Sequence, residues 1–330
     1  MAYPPRPMEL NDENDPGRWA HSLGNALEIV TGCLDAAEAK SVVEVGAYAG
    51  DLTRLLLEWA ERSGSTIMAI DPEPSPRLDR LEEERSELTV VREPSLEALS
   101  HVDLPDAVII DGDHNYYTVS GELKAISDRT DSSELPLLLF HDVGWPHARR
   151  DSFYVPDRIP GEYKQDMVEG AHVFPGEPGL TAGGLPYKWA SANEGGPRNG
   201  VLTAIEDFVE GREGLNLAVI PVFFGVGVVW HDDAPYAGAL VEAIRFWDRN
   251  PVIERLEQNR ILHLATSHQR AHQAWYLEKK LAWQERILRE LLDSSAFAAA
   301  DRFSHLKSGG KGITWRDQIE EALDDPPIIT

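Results

Sequence analysis

The sequence predicts an α/β fold, a doubly wound sheet of mainly parallel strands with helices on both faces. Three observations carry the prediction. Short β-branched runs alternate with helical stretches up to about residue 145, and such alternation builds parallel strands joined by crossover helices. The rhythm breaks between residues 146 and 200 and then resumes. The chain has 330 residues, 42% of them apolar, ample for the core of one large domain or of one domain with appendages.

The first 18 residues are rich in Pro, Asp and Asn and read as an arm without regular structure. Apolar spacing from Trp19 to about Lys40 is helical, which makes residues 1–40 an N-terminal arm and helix. "SVVEVGAYAGDLTRLLLEWAERSGSTIMAID" then reads strand, glycine turn, helix, strand. Its strands are 42–45 and 66–70, and its helix is 51–62 with Leu52, Leu55, Leu56 and Trp59 on one face. A third strand follows at 88–92, with a helix starting near Ser95. A fourth runs over 106–111, and "LPLLLFHDVGW" gives a fifth at 136–141. After residue 200 come a helix, "VLTAIEDFVEG", and two strands, "LNLAVIPV" and "GVGVVW". Their closeness in sequence predicts a tight antiparallel pair at the sheet edge. Residues 41–235 are thus the main domain, with 146–200 as a long insertion dense in Gly, Pro and aromatics. Residues 236–330 are a C-terminal helical extension. Its stretch "QRAHQAWYLEKKLAWQERILRELL" places Trp275, Leu277, Leu281 and Leu288 among its apolar positions, suited to capping the domain or to pairing with another subunit in a homo-oligomer.

The net charge is −25. Such a surface repels nucleic-acid phosphates and acidic membranes, so neither is expected as a partner. The lone cysteine, Cys33, excludes a disulfide framework and a cysteine-built zinc site. The N-terminal stretch has no apolar segment of the secretory kind, and no run of about 18 apolar residues exists. A cytoplasmic protein is expected.

The chemistry-bearing residues sit where strands end. "VVEVGAYAGDLT" places Glu44, Gly46 and Gly50 between the first strand and its helix. Glycines there let backbone approach a ligand closely. Asp71 ends the next strand, a place suited to bonding ribose hydroxyls. The dinucleotide fingerprint needs a glycine where this chain has Tyr48, which disfavours NAD. In "DAVIIDGDHNYYTVSGEL", a buried strand runs straight into Asp111, Asp113 and His114, more ligand-grade groups than a turn requires.

These residues carry a resemblance. "EVGAYAG" followed by "AID" resembles the class I S-adenosylmethionine-dependent methyltransferase family. "IIDGDHNYYTVSGEL" and "LLLFHDV" are similar to its metal-dependent O-methyltransferase branch, which includes antibiotic-tailoring sugar methyltransferases and relatives named cephalosporin hydroxylases. The resemblance spans about residues 40–145 and, more loosely, 200–232. It implies a Rossmann-like seven-stranded sheet whose last strand is antiparallel. It implies S-adenosylmethionine as cofactor, with Gly46, Tyr48 and Gly50 around its methionine part. Glu44 would orient the backbone or the cofactor ammonium, Asp71 would hold the ribose, and residues near Glu93 and Ser95 would face the adenine; Asp111 is also among the expected cofactor-binding residues.

A metal accounts for the acids better than a turn does. Hard cations such as Mg²⁺ take oxygen ligands. Asp111 ends the fourth strand, and His141 and Asp142 end the fifth. Parallel strands emerge at one edge, where ligands bind, so the three can converge on a divalent ion. The resembling enzymes usually offer only oxygen donors at these places. His141 departs from that pattern and opens Mn²⁺ or Fe²⁺ as alternatives to Mg²⁺. The expected chemistry is methylation of a hydroxyl on a small polyhydroxylated acceptor, a sugar or a glycosylated natural product. The resemblance places the base at His114, whose ordinary near-neutral pKa suits proton transfer. Asp113 and His114 also read as caps of the helix near Tyr116, and His141 as a core histidine. Tyr154, Tyr163, Tyr187 and Trp189 are candidates for an acceptor lid, and Arg149 and Arg150 for holding an acceptor anion. Two other functions remain open at this stage: a non-methylating reaction such as hydroxylation on the same site, and a non-catalytic scaffold.

Overall fold

The computed structural model describes residues 21–307, 309 and 312–324. The expected arm over the first 18 residues lies outside them. Up to Thr266 the described chain forms one compact unit, and from Ser267 onward it forms a second.

Apolar runs become strands in the places their composition dictates. The five parallel strands are β1 (Ser41–Val45), β2 (Thr66–Ile70), β3 (Leu88–Val91), β4 (Ala107–Ile110) and β5 (Leu137–His141). The glycine- and proline-rich insertion is not a plain loop. It contains a hairpin, β6 (Met167–Val173) and β7 (Leu185–Ser191), paired antiparallel. Its buried positions, Ala171, Val173, Leu185 and Ala190, are too diluted by Gly and Pro to show as strand periodicity. The last two strands are β8 (Leu215–Ile220) and β9 (Val226–His231). The main sheet has seven strands in the order β3-β2-β1-β4-β5-β9-β8. β9 runs antiparallel to both neighbours, as the short connection from β8 demands.

Alternate side chains enter two apolar layers. Val42, Ile67, Ile109 and Leu139 pack with Leu34 and Leu56 on one face. Val43, Val108, Ile110 and Leu138 pack with Leu123, Ile126 and Ile205 on the other. Burial on both faces is why these strands read as unbroken apolar runs. The flanking helices are α1 (Leu27–Ala36), α2 (Asp51–Ser63), α3 (Pro76–Glu84), the single turn α4 (Ser95–Ala98), α5 (Tyr116–Ser127), α6 (Val201–Val209) and α7 (Ala237–Ile244). The expected first helix is shorter than its apolar spacing predicts: a 3₁₀ turn over Leu23–Ala26 precedes α1. α8 (Pro251–Asp293) starts in the first unit, where Ile261 and Ala265 pack against Val173, Leu185 and Phe224. The second unit holds the rest of α8, α9 (Ser295–Lys307) and α10 (Trp315–Asp324). Among the described residues no helix is long and apolar enough to cross a membrane.

One topological fact positions the site. β1 pairs with β2 on one side and β4 on the other, so the chain reverses its direction of build beside β1. In parallel sheets the crevice at such a reversal is where ligands bind. Register puts Val45 opposite Ile110, and Ile110 opposite Phe140, so Gly46, Asp111 and His141 leave the sheet at one level.

Candidate active site

The turn after β1 is shaped by two glycines. Gly46 has φ of 87°, and a Cβ there would lie 2.2 Å from the Asp111 carbonyl oxygen and 2.5 Å from Gly112 Cα. Only glycine fits. Gly50, at φ of 72°, opens α2 and faces Leu78 and Leu81. Tyr48 is also left-handed, at φ of 36°, with an exposed ring. Its N–H donates to Asp71 Oδ2 at 2.8 Å, while Asp71 Oδ1 accepts from the Glu73 N–H at 2.8 Å. Asp71 thus splints the turn, and each of its oxygens keeps a further lone pair. Glu44 is buried and accepts from the Thr53 hydroxyl at 2.6 Å. Burial lifts its carboxyl to about 8, with Asp111, Asp71 and Asp51 adding to the rise. A bound cation would reverse that shift.

After β3, Ser95 opens α4 and Glu93 pairs with His101 at 2.8 Å. Glu122 of α5 lies wholly buried beside Ser95 and Gly112. Burial raises its carboxyl to about 8, against the opposing pull of the Ser95 hydroxyl. The sequence predicts a helix near Tyr116 and does not single out Glu122 as an inward-facing acid.

The ends of β4 and β5 bring three donors together. His141 Nδ1 lies 3.0 Å from Asp111 Oδ1 and 3.4 Å from Asp142 Oδ2, and donor atoms of the three lie within 4.8 Å of one another. Ligands at right angles around an ion at roughly 2.1 Å sit about 3 Å apart, so the spacing fits one divalent cation. Asp142 holds a left-handed φ of 59°, uncommon outside glycine. Burial opposes charge on His141, but Asp111 and Asp142 outweigh it and raise the imidazole to about 10. The same negative field favours a metal ion.

A wall of rings stands over these donors. His114 Nδ1 meets Asp142 Oδ2 at 3.1 Å, and its Nε2 lies 3.1 Å from the Tyr154 hydroxyl. With Nδ1–H donated to Asp142, Nε2 keeps its lone pair and accepts from Tyr154. His147 stacks on His114 at 4.8 Å between ring centres, and Tyr187 meets His147 edge-on at 5.0 Å. Burial lowers His114 to about 4, so the near-neutral imidazole expected from the sequence is replaced by one that is uncharged across the physiological range.

Other expectations need correction. The cap of α5 is Asn115, which accepts from the Thr118 N–H at 2.8 Å, not Asp113 or His114. Asp113 instead accepts from the Tyr154 N–H at 3.1 Å and ties the insertion to the site. Arg149 is spent on Glu206, with contacts of 2.6 and 2.8 Å. Arg150 is buried and donates to the carbonyls of Ser191 and Pro178, each at 2.6 Å. Both guanidinium groups brace the insertion. Asp151 does likewise, accepting from the N–H groups of Tyr116 and Gly200. Tyr163 packs with Tyr116 and Tyr117 rather than with the histidines. His147, six residues after His141, carried no sequence signal of its role.

Residues 43–143, from β1 to just beyond β5, match the family model described as a methyltransferase domain. No curated protein matches the chain. Among solved structures, a methyltransferase from Podospora anserina bound to S-adenosylhomocysteine is 16% identical, with 66% of this chain and 83% of that one covered and a TM-score of 0.39. Human N-acetylserotonin methyltransferase is 11% identical, with 65% and 55% covered and a TM-score of 0.35. The 1,6-didemethyltoxoflavin-N1-methyltransferase of Burkholderia thailandensis is 11% identical, with 66% and 80% covered and a TM-score of 0.35. At these scores the likenesses decide no chemistry. The sheet order and the matched domain stand on their own.

Proposed function

We propose that this chain, whose residues 43–143 match a methyltransferase domain, is an S-adenosylmethionine-dependent O-methyltransferase that uses a divalent metal. Its acceptor is a hydroxyl of a small polyhydroxylated molecule, a sugar or a glycosylated natural product. One observation carries the reading: a glycine turn too tight for any side chain abuts, through the Asp111 backbone, a cluster of two carboxylates and an imidazole at the same sheet edge.

S-adenosylmethionine would supply an electrophilic methyl group, and the metal a charge that acidifies a nearby hydroxyl. Gly46 and Gly50 leave the backbone open to the methionine part. Glu44 faces the cofactor ammonium through that turn, and Asp71 offers its remaining lone pairs to the ribose. Ser95 lies at the adenine end, whereas Glu93 is engaged with His101. Asp111, His141 and Asp142 would hold the metal. His114 Nε2 would take the proton of the acceptor hydroxyl once that hydroxyl replaces Tyr154 on its lone pair, with Asp142 holding the ring in the required tautomer. Tyr187, packed edge-on to His147, and the exposed ring of Tyr154 would flank the acceptor. Trp275, Leu281 and Trp283, exposed on the second unit, would be covered by a second copy of the chain, which light scattering would detect.

The test is incubation with S-adenosylmethionine, Mn²⁺ or Mg²⁺ and a panel of glycosides and nucleotide sugars, read by mass spectrometry. Gain of one methylene unit supports the reading. Gain of an oxygen instead moves the site to hydroxylation.

A further inference from the structure

Imidazole nitrogens differ in what they can do, and His141 has one of them committed. Its Nε2 lies 2.7 Å from the Phe223 carbonyl oxygen. A carbonyl only accepts, so Nε2 carries the hydrogen. In the neutral ring the lone pair then sits on Nδ1, the atom that faces Asp111 and Asp142. Metal-binding histidines characteristically donate their other N–H to a carbonyl or carboxylate, which fixes ring and tautomer.

The carbonyl that does this is delivered at a conformational cost. Phe223 and Phe224 have left-handed φ values of 46° and 68°, followed by Gly225 at 94°. Two successive aromatic residues in that region are uncommon and persist only when their surroundings enforce them. The surroundings come from the start of α8. Glu257 accepts from the Phe224 N–H at 2.8 Å. Arg260 pairs with Glu257 at 2.7 Å and lies 5.4 and 4.6 Å from the two phenyl centres. Glu257 and Arg260 therefore hold the turn, the turn holds the His141 ring, and the ring presents Nδ1 between two carboxylates.

We propose that this site takes a divalent transition ion such as Mn²⁺ or Fe²⁺ through His141 Nδ1, in preference to Mg²⁺, and that Glu257 is a positioning residue for it. The inference rests on the reading of the cluster as a metal centre. Two oxygens and one imidazole nitrogen form a donor set that first-row transition ions accept readily, whereas Mg²⁺ favours oxygen alone.

The test uses the full chain, stripped of metal by chelation. Calorimetric titration should show Mn²⁺ bound about 100-fold more tightly than Mg²⁺. Electron spin-echo spectra of the Mn²⁺-loaded protein should show modulation from a directly bound nitrogen. His141→Glu should abolish that modulation and narrow the preference to less than about 10-fold, while His114→Gln keeps both. Glu257→Gln, which loosens only the turn, should weaken Mn²⁺ binding about 10-fold. Equal affinity for the two ions, absence of nitrogen modulation in the wild type, or no metal binding would each overturn the proposal. S-adenosylhomocysteine binding, measured in the same samples, separates these failures from failure of the methyltransferase reading, because it reports on the β1–β2 half of the sheet edge and not on the metal donors.

Discussion

The two halves of the sheet edge are built from different materials. Beside β1 and β2 the shape is made by backbone: Gly46, Tyr48 and Gly50 in left-handed conformations, splinted by Asp71. These residues are near one another in sequence, and one strand-turn-helix-strand unit contains them all. Beside β4 and β5 the shape is made by side chains from distant segments. Asp111, His114, His141, Asp142, His147, Tyr154 and Tyr187 come together with a carbonyl from Phe223. A turn made from backbone tolerates almost no substitution, whereas a cluster made from side chains can exchange its ligands and so change its metal or acceptor.

Gly46→Ala should break the comparison most severely. Its methyl group would overlap the Asp111 carbonyl and push both halves apart. Loss of S-adenosylhomocysteine binding and destabilisation of about 3 kcal/mol or more are expected, measurable by calorimetry and thermal melting. Unchanged cofactor affinity in a folded Gly46→Ala protein would show that the turn is not the binding element. Asp111→Asn acts on the other half alone: methyl transfer should fall at least about 10³-fold while S-adenosylhomocysteine affinity stays within about 3-fold. His114→Gln should lower turnover by about 10²–10³-fold with cofactor and metal binding retained. Equal loss of metal binding in that variant would make His114 a ligand rather than the base.

The sequence made the first half readable because the spacing of Gly46, Gly50 and Asp71 is local and tied to strand ends. The parallel strands followed from alternation and the antiparallel edge from the short β8–β9 connection, whereas the strand order came only with the structure. Asp111, His141 and Asp142 were also readable, since parallel strands must end at one edge. What stayed hidden depended on long-range packing. The Phe223 carbonyl is a backbone atom with no residue signature. The low pKa of His114 reflects burial under an insertion whose hairpin was masked by Gly and Pro. Arg149 and Arg150 looked available to an anion because their partners lie 57 and 41 residues away.

Smaller effects sharpen the contrast. Glu44 and Glu122 are both raised to about 8 by burial. Between about pH 4.5, where these acids ionise in the unfolded chain, and pH 8, the native state holds more protons. Stability should therefore be greatest below that window and fall as pH rises through it. Glu122→Gln should flatten the slope, by about 2–4 °C in Tm between pH 5 and 8. A slope identical to wild type would mean that Glu122 ionises freely. Tyr154→Phe removes only the hydroxyl that meets His114 Nε2, and a change in kcat/KM below about 10-fold is expected, with acceptor KM moving more than kcat.

The most direct measurement is calorimetric titration of S-adenosylhomocysteine and Mn²⁺ into wild type and Asp111→Asn. Two adjoining but separable sites predict that both proteins bind S-adenosylhomocysteine alike and that only the wild type binds Mn²⁺ tightly. Wild-type protein that ignores S-adenosylhomocysteine up to about millimolar concentration, where a Kd of 1 mM corresponds to roughly −4 kcal/mol, would contradict the account at its root.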